Sequence, residues 1–133
     1  MDKLFIKATK SSPEIHFDNT KNFLSIRGES YPENTAGFYV PVLSWVEEYL
    51  QHLEDQEVTV EMDIPYFNSS SSKILLDLLD MLDEAVSKGK KIIVKWFYAE
   101  ENQSALEAGE EFQEDFEALT FHIIQIPYLN RVP

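Results

Sequence analysis

Cysteine is absent from the 133-residue chain, and glycine and proline are scarce, with 4 and 6 residues. Without cysteine the chain has no disulfide, no thiol nucleophile and no thiolate to bind a metal. This composition suits a reducing compartment, and we expect a cytoplasmic protein. The scarcity of glycine and proline, with a hydrophobic fraction of 44%, indicates one globular domain over residues 1–133 rather than a disordered or fibrous chain.

Long apolar runs and positive charge are also lacking. No stretch approaches the roughly 20 apolar residues that cross a bilayer, and the N-terminus has no apolar segment typical of a secretory signal. The chain has 11 Lys and Arg against 24 Asp and Glu, a net charge of −13. Because this charge repels phosphate backbones and anionic lipids, we expect no nucleic-acid partner and no membrane insertion. A cationic surface on another protein is the better electrostatic match.

Motifs that carry catalysis or hold cofactors are missing as well. The sequence contains no G-x-S-x-G elbow, no P-loop and no G-x-G-x-x-G. His16, His52 and His122 lie in different predicted elements, with no spacing typical of metal ligands. Carboxylates are so numerous that no catalytic pair stands out from solvated helix faces. We therefore expect no catalytic residues, no metal site and no cofactor.

The hydrophobic patterns that are present predict the order β-β-β-α-β-α-β-α-β. Six runs alternate in polarity or are rich in β-branched and aromatic residues: KLFIKA, EIHFD, NFLSIRG, EVTVEMDIPY, KIIVKWFY and FHIIQIPY. The turn-rich DNTKN joins the second run to the third, which favours antiparallel strands at the N-terminus. Later strands alternate with helices, which indicates parallel βαβ units. We therefore predict an α/β fold with a mixed sheet and helices packed on it.

The first two helices are predicted from apolar residues at helical spacing. One apolar stripe runs from Val42 to Leu53. Pro41 either opens this helix or lies inside a helix that starts near Asn34, and the pattern does not distinguish the two. The second helix follows a run of serines, and we expect it to begin near Ser71 or Lys73.

The third predicted helix is acidic and covers Ser104 to Leu119. Its candidate inner positions are Leu106, Phe112, Phe116 and Leu119. Its outer positions carry a run of carboxylates: Glu110, Glu111, Glu114, Asp115 and Glu117. A solvated helix face explains such a run most simply, and the alternative is a docking surface for a basic partner.

Four consecutive serines, Ser69 to Ser72, stand between the strand that ends near Tyr66 and the second helix. Asn68 and the serines are good N-caps, because their side-chain oxygens accept hydrogen bonds from the free N–H groups of the first turn. The same N–H groups and the positive end of the helix stabilise an anion. A phosphoserine, with a charge of about −1.5 to −2, would therefore also be stable here.

Four segments together resemble the SiaC family of bacterial biofilm-regulatory phosphoproteins: SPEIHFD, LSIRGESYPENTAGFYVPVLSWVEEYL, MDIPYFNSSSSKILLDLLDML and AGEEFQED. The resemblance covers essentially the whole chain. It implies a STAS-like (anti-anti-sigma-like) domain that is phosphorylated at the strand-to-helix turn. It further implies that the unphosphorylated protein binds and stimulates a diguanylate cyclase, which raises cyclic di-GMP. A serine/threonine protein kinase and a PP2C-type phosphatase are the implied partners that set its state.

Carried onto this sequence, the resemblance places the phosphorylated residue just after Asn68. Ser69 is the first candidate, Ser70 the second and Ser71 the third, and Asn68 and Ser72 complete the switch turn. The family's acceptor is a threonine, and this stretch has only serines. The implied partner-binding residues lie around the turn and the GESYPEN segment: Glu29, Tyr31, Pro32, Glu33, Asn34, Phe38, Tyr39 and Tyr66.

Three other hypotheses stand beside this one. The protein could be an anti-anti-sigma-like partner-switching protein that acts on another target. It could be a small enzyme that uses carboxylates of the acidic half, which a cluster of Asp or Glu around a divalent ion would favour. It could also be a structural oligomerisation domain without a switch.

Overall fold

The computed structural model describes residues 1–127, which form one six-stranded sheet and three helices. The strands are β1 (Leu4–Ile6), β2 (Glu14–Asp18), β3 (Phe23–Arg27), β4 (Glu57–Asp63), β5 (Lys91–Ala99) and β6 (Thr120–Ile126). The helices are α1 (Thr35–His52), α2 (Ser69–Ser87) and α3 (Gln103–Asp115). The order of elements is the predicted one. Tyr128, the predicted end of the last strand, lies outside the described residues.

The strands lie side by side in chain order. Pairing is antiparallel from β1 to β3 and parallel from β3 to β6, which confirms the predicted mixed sheet. Parallel crossovers are right-handed, so three crossovers that advance in the same direction place all three helices on one face of the sheet. In β4 the buried residues accordingly alternate, and they are Val58, Val60 and Met62.

Proline 41 lies inside α1, which resolves the two alternatives left open by the sequence. Asn34 is the N-cap, and its Oδ1 accepts a hydrogen bond from the Gly37 N–H at 3.0 Å. The helix therefore starts at Thr35 and runs through Pro41, whose ring is exposed to solvent. Proline removes one helical hydrogen bond there. The inward side of α1 is formed by Tyr39, Val42, Val46 and Tyr49.

The predicted end of α3 at Leu119 is wrong, because the helix ends at Asp115. Asp83 of α2 accounts for the early end. Its Oδ1 accepts hydrogen bonds from the N–H groups of Ala118 and Leu119 at 3.0 and 3.1 Å, which holds this segment outside the helix. Phe116 and Leu119 are nevertheless buried, as the sequence predicted.

α3 approaches the sheet closely at Gly109, which lies against Trp96 of β5. Trp96 is fully buried, and its indole N–H donates to the Ala105 carbonyl at 2.9 Å. A Cβ atom at Gly109 would lie 2.5 Å from Cδ1 of Trp96. Ala105 and Gly109 thus form the face of α3 that meets the sheet. Leu106, predicted to point inward, is only half-buried.

The solvent side of the helix layer is acidic. Four Asp or Glu lie in α2 and five in α3, whereas Lys73 is the single Lys or Arg within the three helices. The three histidines are all exposed and lie in β2, α1 and β6. Within residues 1–127, no helix combines the length and the apolar character needed to cross a membrane.

The turn from β2 to β3 is organised by Asp18. Its Oδ1 accepts hydrogen bonds from the Thr20 hydroxyl at 2.6 Å and from the N–H groups of Thr20 and Lys21 at 2.9 and 3.2 Å. The Thr20 hydroxyl is the main cause that lowers the pKa of Asp18 from 3.8 to about 2. Burial opposes this change, and the backbone hydrogen bonds and the Lys3 charge add to it.

The Gly109→Ala substitution should lower the free energy of unfolding by about 1–3 kcal/mol, because the new methyl group overpacks against Trp96. At an exposed helical glycine the same substitution would instead raise the free energy of unfolding by about 1 kcal/mol. Urea denaturation of the two proteins measures the difference. The cost should be smaller in a Trp96→Val background, which lacks the clashing ring. An equal cost in both backgrounds would contradict this account.

The Asp18→Asn substitution should destabilise the protein in a pH-dependent way. Because the folded state lowers the pKa of Asp18, the ionised carboxylate stabilises the fold above its unfolded pKa of 3.8. This contribution is lost as the pH falls from about 3.8 towards about 2. Urea midpoints of wild type and variant should therefore differ at neutral pH and converge at low pH. A difference that persists unchanged through this window would disprove the role of the carboxylate.

Candidate functional site

The serine turn lies where the chain leaves β4 and enters α2. The helix begins at Ser69, two residues before the earliest predicted start at Ser71, so all four serines belong to its first turn. The predicted start of α2 was wrong because Asn68, rather than one of the serines, is the N-cap. The Asn68 Oδ1 accepts a hydrogen bond from the Ser71 N–H at 2.9 Å. Within residues 1–127, the N–H groups of Ser69 and Ser70 have no acceptor. This end of α2 can therefore stabilise an anion.

The four serines differ in exposure. Ser69 and Ser70 are exposed, Ser72 is half-buried, and Ser71 is completely buried. A kinase must reach the hydroxyl oxygen that it phosphorylates, and in this conformation it can reach Ser69 and Ser70. Phosphorylation of Ser71 would require the first turn of α2 to open.

Ser71 is one end of a buried chain of three hydroxyl groups. Its Oγ lies 2.8 Å from the Ser30 Oγ, which in turn lies 2.6 Å from the Tyr39 hydroxyl. All three residues are at most 1% exposed. Burial raises the pKa of Tyr39 above its usual 10, although the hydrogen bond with Ser30 opposes this effect. The phenol therefore stays protonated and can donate a hydrogen bond within the chain.

Backbone hydrogen bonds hold the GESY segment alongside the serine turn. The Gly28 N–H donates to the Asp63 carbonyl at 2.9 Å, and the Ser30 N–H donates to the Tyr66 carbonyl at 2.9 Å. The Ser30 carbonyl in turn accepts from the Asn68 N–H at 3.1 Å. These bonds continue the parallel pairing of β3 and β4 beyond the ends of both strands. Ser30 thus connects the GESY segment to the serine turn through both its backbone and its side chain. The sequence analysis did not predict this role of Ser30.

The residues predicted to bind partners fall into three groups. The exposed ones are Glu29, Glu33, Asn34 and Tyr66, the half-buried ones are Tyr31, Pro32 and Phe38, and the buried one is Tyr39. Tyr66 is 53% exposed, and its ring lies 5.8 Å from that of Tyr31 in an edge-to-face arrangement. The two rings present an aromatic surface beside the serine turn. Tyr39 faces the core, so its contribution in this conformation is to position Ser30.

An exposed surface at the start of α1 adjoins this site and extends beyond the partner-binding segment predicted from the sequence, which ends at Tyr39. Its exposed residues are Ala36, Gly37, Val40, Pro41 and Ser44. Val40 is 59% exposed, and no charged residue occurs from Thr35 to Val46. Because 26% of the residues in the chain are charged, this uncharged run could have indicated the surface from the sequence.

Lys73 is placed to interact with a phosphate on either exposed serine. It is exposed, and it follows Ser69 by four and Ser70 by three residues in the same helix. Residues with these spacings are neighbours on a helix surface. A phosphate at the turn would therefore meet both the positive end of α2 and a Lys side chain.

The enzyme hypothesis required a cluster of carboxylates. Among residues 1–127, no group of three or more His, Asp or Glu is arranged to hold a metal ion. A cavity of about 410 Å³ lies between α1 and α2, and its lining includes Glu47, Leu50, Met81 and Lys88. Glu47 and Leu50 lie in the later part of α1, Met81 lies in the later part of α2, and Lys88 directly follows α2. The cavity is therefore separate from the serine turn.

Substitutions in the hydroxyl chain should have unequal effects on stability. Tyr39→Phe removes one hydrogen bond and should cost about 1 kcal/mol. Ser30→Ala leaves two buried hydroxyls without their partner and should cost about 2–4 kcal/mol. Urea denaturation measures both. In the Tyr39→Phe background Ser30→Ala should cost less, because one of the two hydroxyls is already gone. Additive costs would show that the three groups do not act as one chain.

Most of the chain is similar to proteins of one known family. Residues 6–126 match the model of the "SiaC family regulatory phosphoprotein". The chain is 38% identical to the uncharacterised protein PA14_02130 of Pseudomonas aeruginosa (strain UCBPP-PA14), over 86% of this chain and 90% of that protein. Its structure matches SiaC of Pseudomonas aeruginosa with a TM-score of 0.83 and 33% identity, over 96% of this chain and 100% of the other.

A second structural match is to a chain in the crystal structure of the diguanylate cyclase SiaD in complex with its activator SiaC, from Pseudomonas aeruginosa. The TM-score is 0.83 and the identity 34%. The match covers 94% of this chain and 99% of the other, so the similarity includes nearly all of the fold described above.

Proposed function

The chain belongs to the SiaC family of regulatory phosphoproteins, and on this premise we propose that it binds and stimulates a diguanylate cyclase when it is unphosphorylated. The observation that carries the proposal is the similarity to the structure in which SiaC is the activator of a diguanylate cyclase. The protein would act in the cytoplasm, by binding and not by catalysis. Its output would be cyclic di-GMP and, through it, biofilm formation.

Ser69 or Ser70 is the proposed phosphorylation site, with a serine/threonine kinase and a PP2C-type phosphatase as the opposing enzymes. Three features support this choice. Both hydroxyls are exposed, both N–H groups at this helix end lack an acceptor within residues 1–127, and Lys73 lies one turn away. The site can therefore accept a phosphate without refolding, since the anion is stabilised by groups already in place.

The proposed docking surface combines the serine turn with its uncharged surroundings. These are the aromatic pair of Tyr31 and Tyr66 and the exposed start of α1 around Val40. A partner that buries this surface would also have to bury the turn. A phosphate adds a charge of about −1.5 to −2 there, and burial of such a charge is costly unless the partner supplies a cation. Phosphorylation would thus release the cyclase by a local change.

The experiment combines kinase treatment with cyclase binding. The double variant Ser69→Ala/Ser70→Ala should gain no phosphate from the cognate kinase and ATP, whereas Ser71→Ala should be phosphorylated like wild type; intact mass measures both. Phosphorylated wild type should bind the cyclase at least about 10-fold more weakly, or about 1.4 kcal/mol. The double variant is the matched control, because its affinity should not respond to kinase and ATP.

Three outcomes would count against the proposal. Full phosphorylation of the double variant would move the acceptor to another residue. Unchanged cyclase affinity of the fully phosphorylated protein would remove the switch. Normal phosphorylation without any cyclase binding would favour a partner-switching protein that acts on another target.

A further inference from the structure

The two edges of the sheet are built differently. β1 has 3 residues and is flanked by Lys3 and Lys7, and a short strand beside lysines is a common protection of a sheet edge. β6 forms the other edge with 7 residues and contains neither a charged residue nor a proline. In an acidic chain with 26% charged residues, this long uncharged edge lacks the usual protection against pairing with another strand.

Two hydrogen bonds show which backbone groups of β6 face away from the sheet. The Ile126 carbonyl accepts from the Glu100 N–H at 3.2 Å and therefore points towards β5. The Phe121 carbonyl instead accepts from the side chain of Gln113 in α3, at 2.9 Å, and points outward. Because these directions alternate along a strand, the outward-facing residues are Phe121, Ile123 and Gln125. Apart from the Phe121 carbonyl, their N–H and C=O groups have no partner within residues 1–127.

Gln113 also shows where the acidic surface lies relative to this edge. Glu110 precedes Gln113 by three residues and therefore lies on the same side of α3. The five carboxylates of α3 are Glu107, Glu110, Glu111, Glu114 and Asp115, and all are exposed. None of them forms an ion pair with another of the described residues. Glu110 thus places an uncompensated negative charge beside the open edge.

This charge disfavours a second copy of the chain as the occupant of the edge. Antiparallel pairing of two β6 strands would continue the sheet and bring the two α3 helices together on one face. Each molecule carries a net charge of −13, and this pairing would bring the exposed carboxylates of both α3 helices, Glu110 among them, onto one face of the continued sheet. The repulsion of like charges acts against this pairing, whereas the same carboxylates attract a strand with basic side chains.

We propose that the outer edge of β6 binds an extended segment of a partner protein, which adds as a seventh strand and carries Lys or Arg on the side that faces α3. Backbone hydrogen bonds to Ile123 and Gln125 would supply affinity, and the α3 carboxylates would select basic residues at every second position. The serine turn follows β4, two strands away. The edge is therefore a separate surface, and this proposal does not depend on the phosphorylation switch.

The test follows hydrogen exchange of single amides by NMR in the full chain, with a capped peptide of alternating Lys and Val as the probe. In the free protein the N–H groups of Ile123 and Gln125 should exchange fast, and that of Ile124, which faces β5, should exchange slowly. The peptide should slow exchange at Ile123 and Gln125 at least 10-fold. Two control peptides should have no such effect: alternating Glu and Val, and alternating Lys and Pro, which keeps the charge but lacks half of the N–H groups.

Matched variants separate the backbone contribution from the charge. Ile123→Pro removes an outward N–H without removing a bond to β5, and it should abolish protection by the peptide. Ile123→Ala loses the same side chain but keeps the N–H, and it should retain protection. Gln125→Pro serves the same purpose if Ile123→Pro does not fold. The double variant Glu110→Lys/Glu114→Lys should bind the Glu–Val peptide in preference to the Lys–Val peptide.

Each of the contrary results would overturn the proposal. Slow exchange at Ile123 in the free monomer would show that the chain covers its own edge. Slow exchange together with a dimer would identify a second copy as the occupant. Peptide binding that survives in Ile123→Pro would show attraction to the carboxylates alone, and the absence of any protection by the Lys–Val peptide would show that the edge accepts no strand.

Discussion

The hydrogen bond between the side chains of Ser30 and Ser71 is the interaction on which the candidate site depends. It is buried, it joins residues 41 positions apart, and it extends to Tyr39. Because successive residues of a helix are rotated by about 100° around its axis, an inward Ser71 forces Ser69 and Ser70 to point elsewhere. The same contact thus leaves Ser71 buried and Ser69 and Ser70 accessible to a kinase, all within one helical turn.

The topology of the sheet separates the surfaces of the molecule. Crossovers that advance in one direction place the helices on one face, so the acidic side chains of α2 and α3 collect on one side of the sheet. The serine turn lies at the end of β4, near the centre of the sheet, and β6 forms an outer edge. A phosphate at the turn and a strand at the edge would therefore occupy different surfaces, and neither would exclude the other by contact.

The order of strands and helices could be predicted because hydrophobic alternation and helical spacing are properties of neighbouring residues. The ends of the helices were less predictable. α2 begins at Ser69 because Asn68 caps it, whereas α3 ends early because Asp83, in another helix, binds the backbone of the following segment. Leu106 was misassigned for a similar reason, since the indole ring of Trp96 determines which face of α3 meets the sheet.

By itself, the sequence determined the α/β class, the acidic character and the position of four serines at a helix entrance. These properties depend on composition and on spacing along the chain. Only the tertiary structure decided which serines are accessible, that Ser30 and Tyr39 support the turn, and that one edge of the sheet is open beside an acidic helix. Burial and hydrogen-bond pairing decide these points, and both arise from contacts between residues that are far apart in the chain.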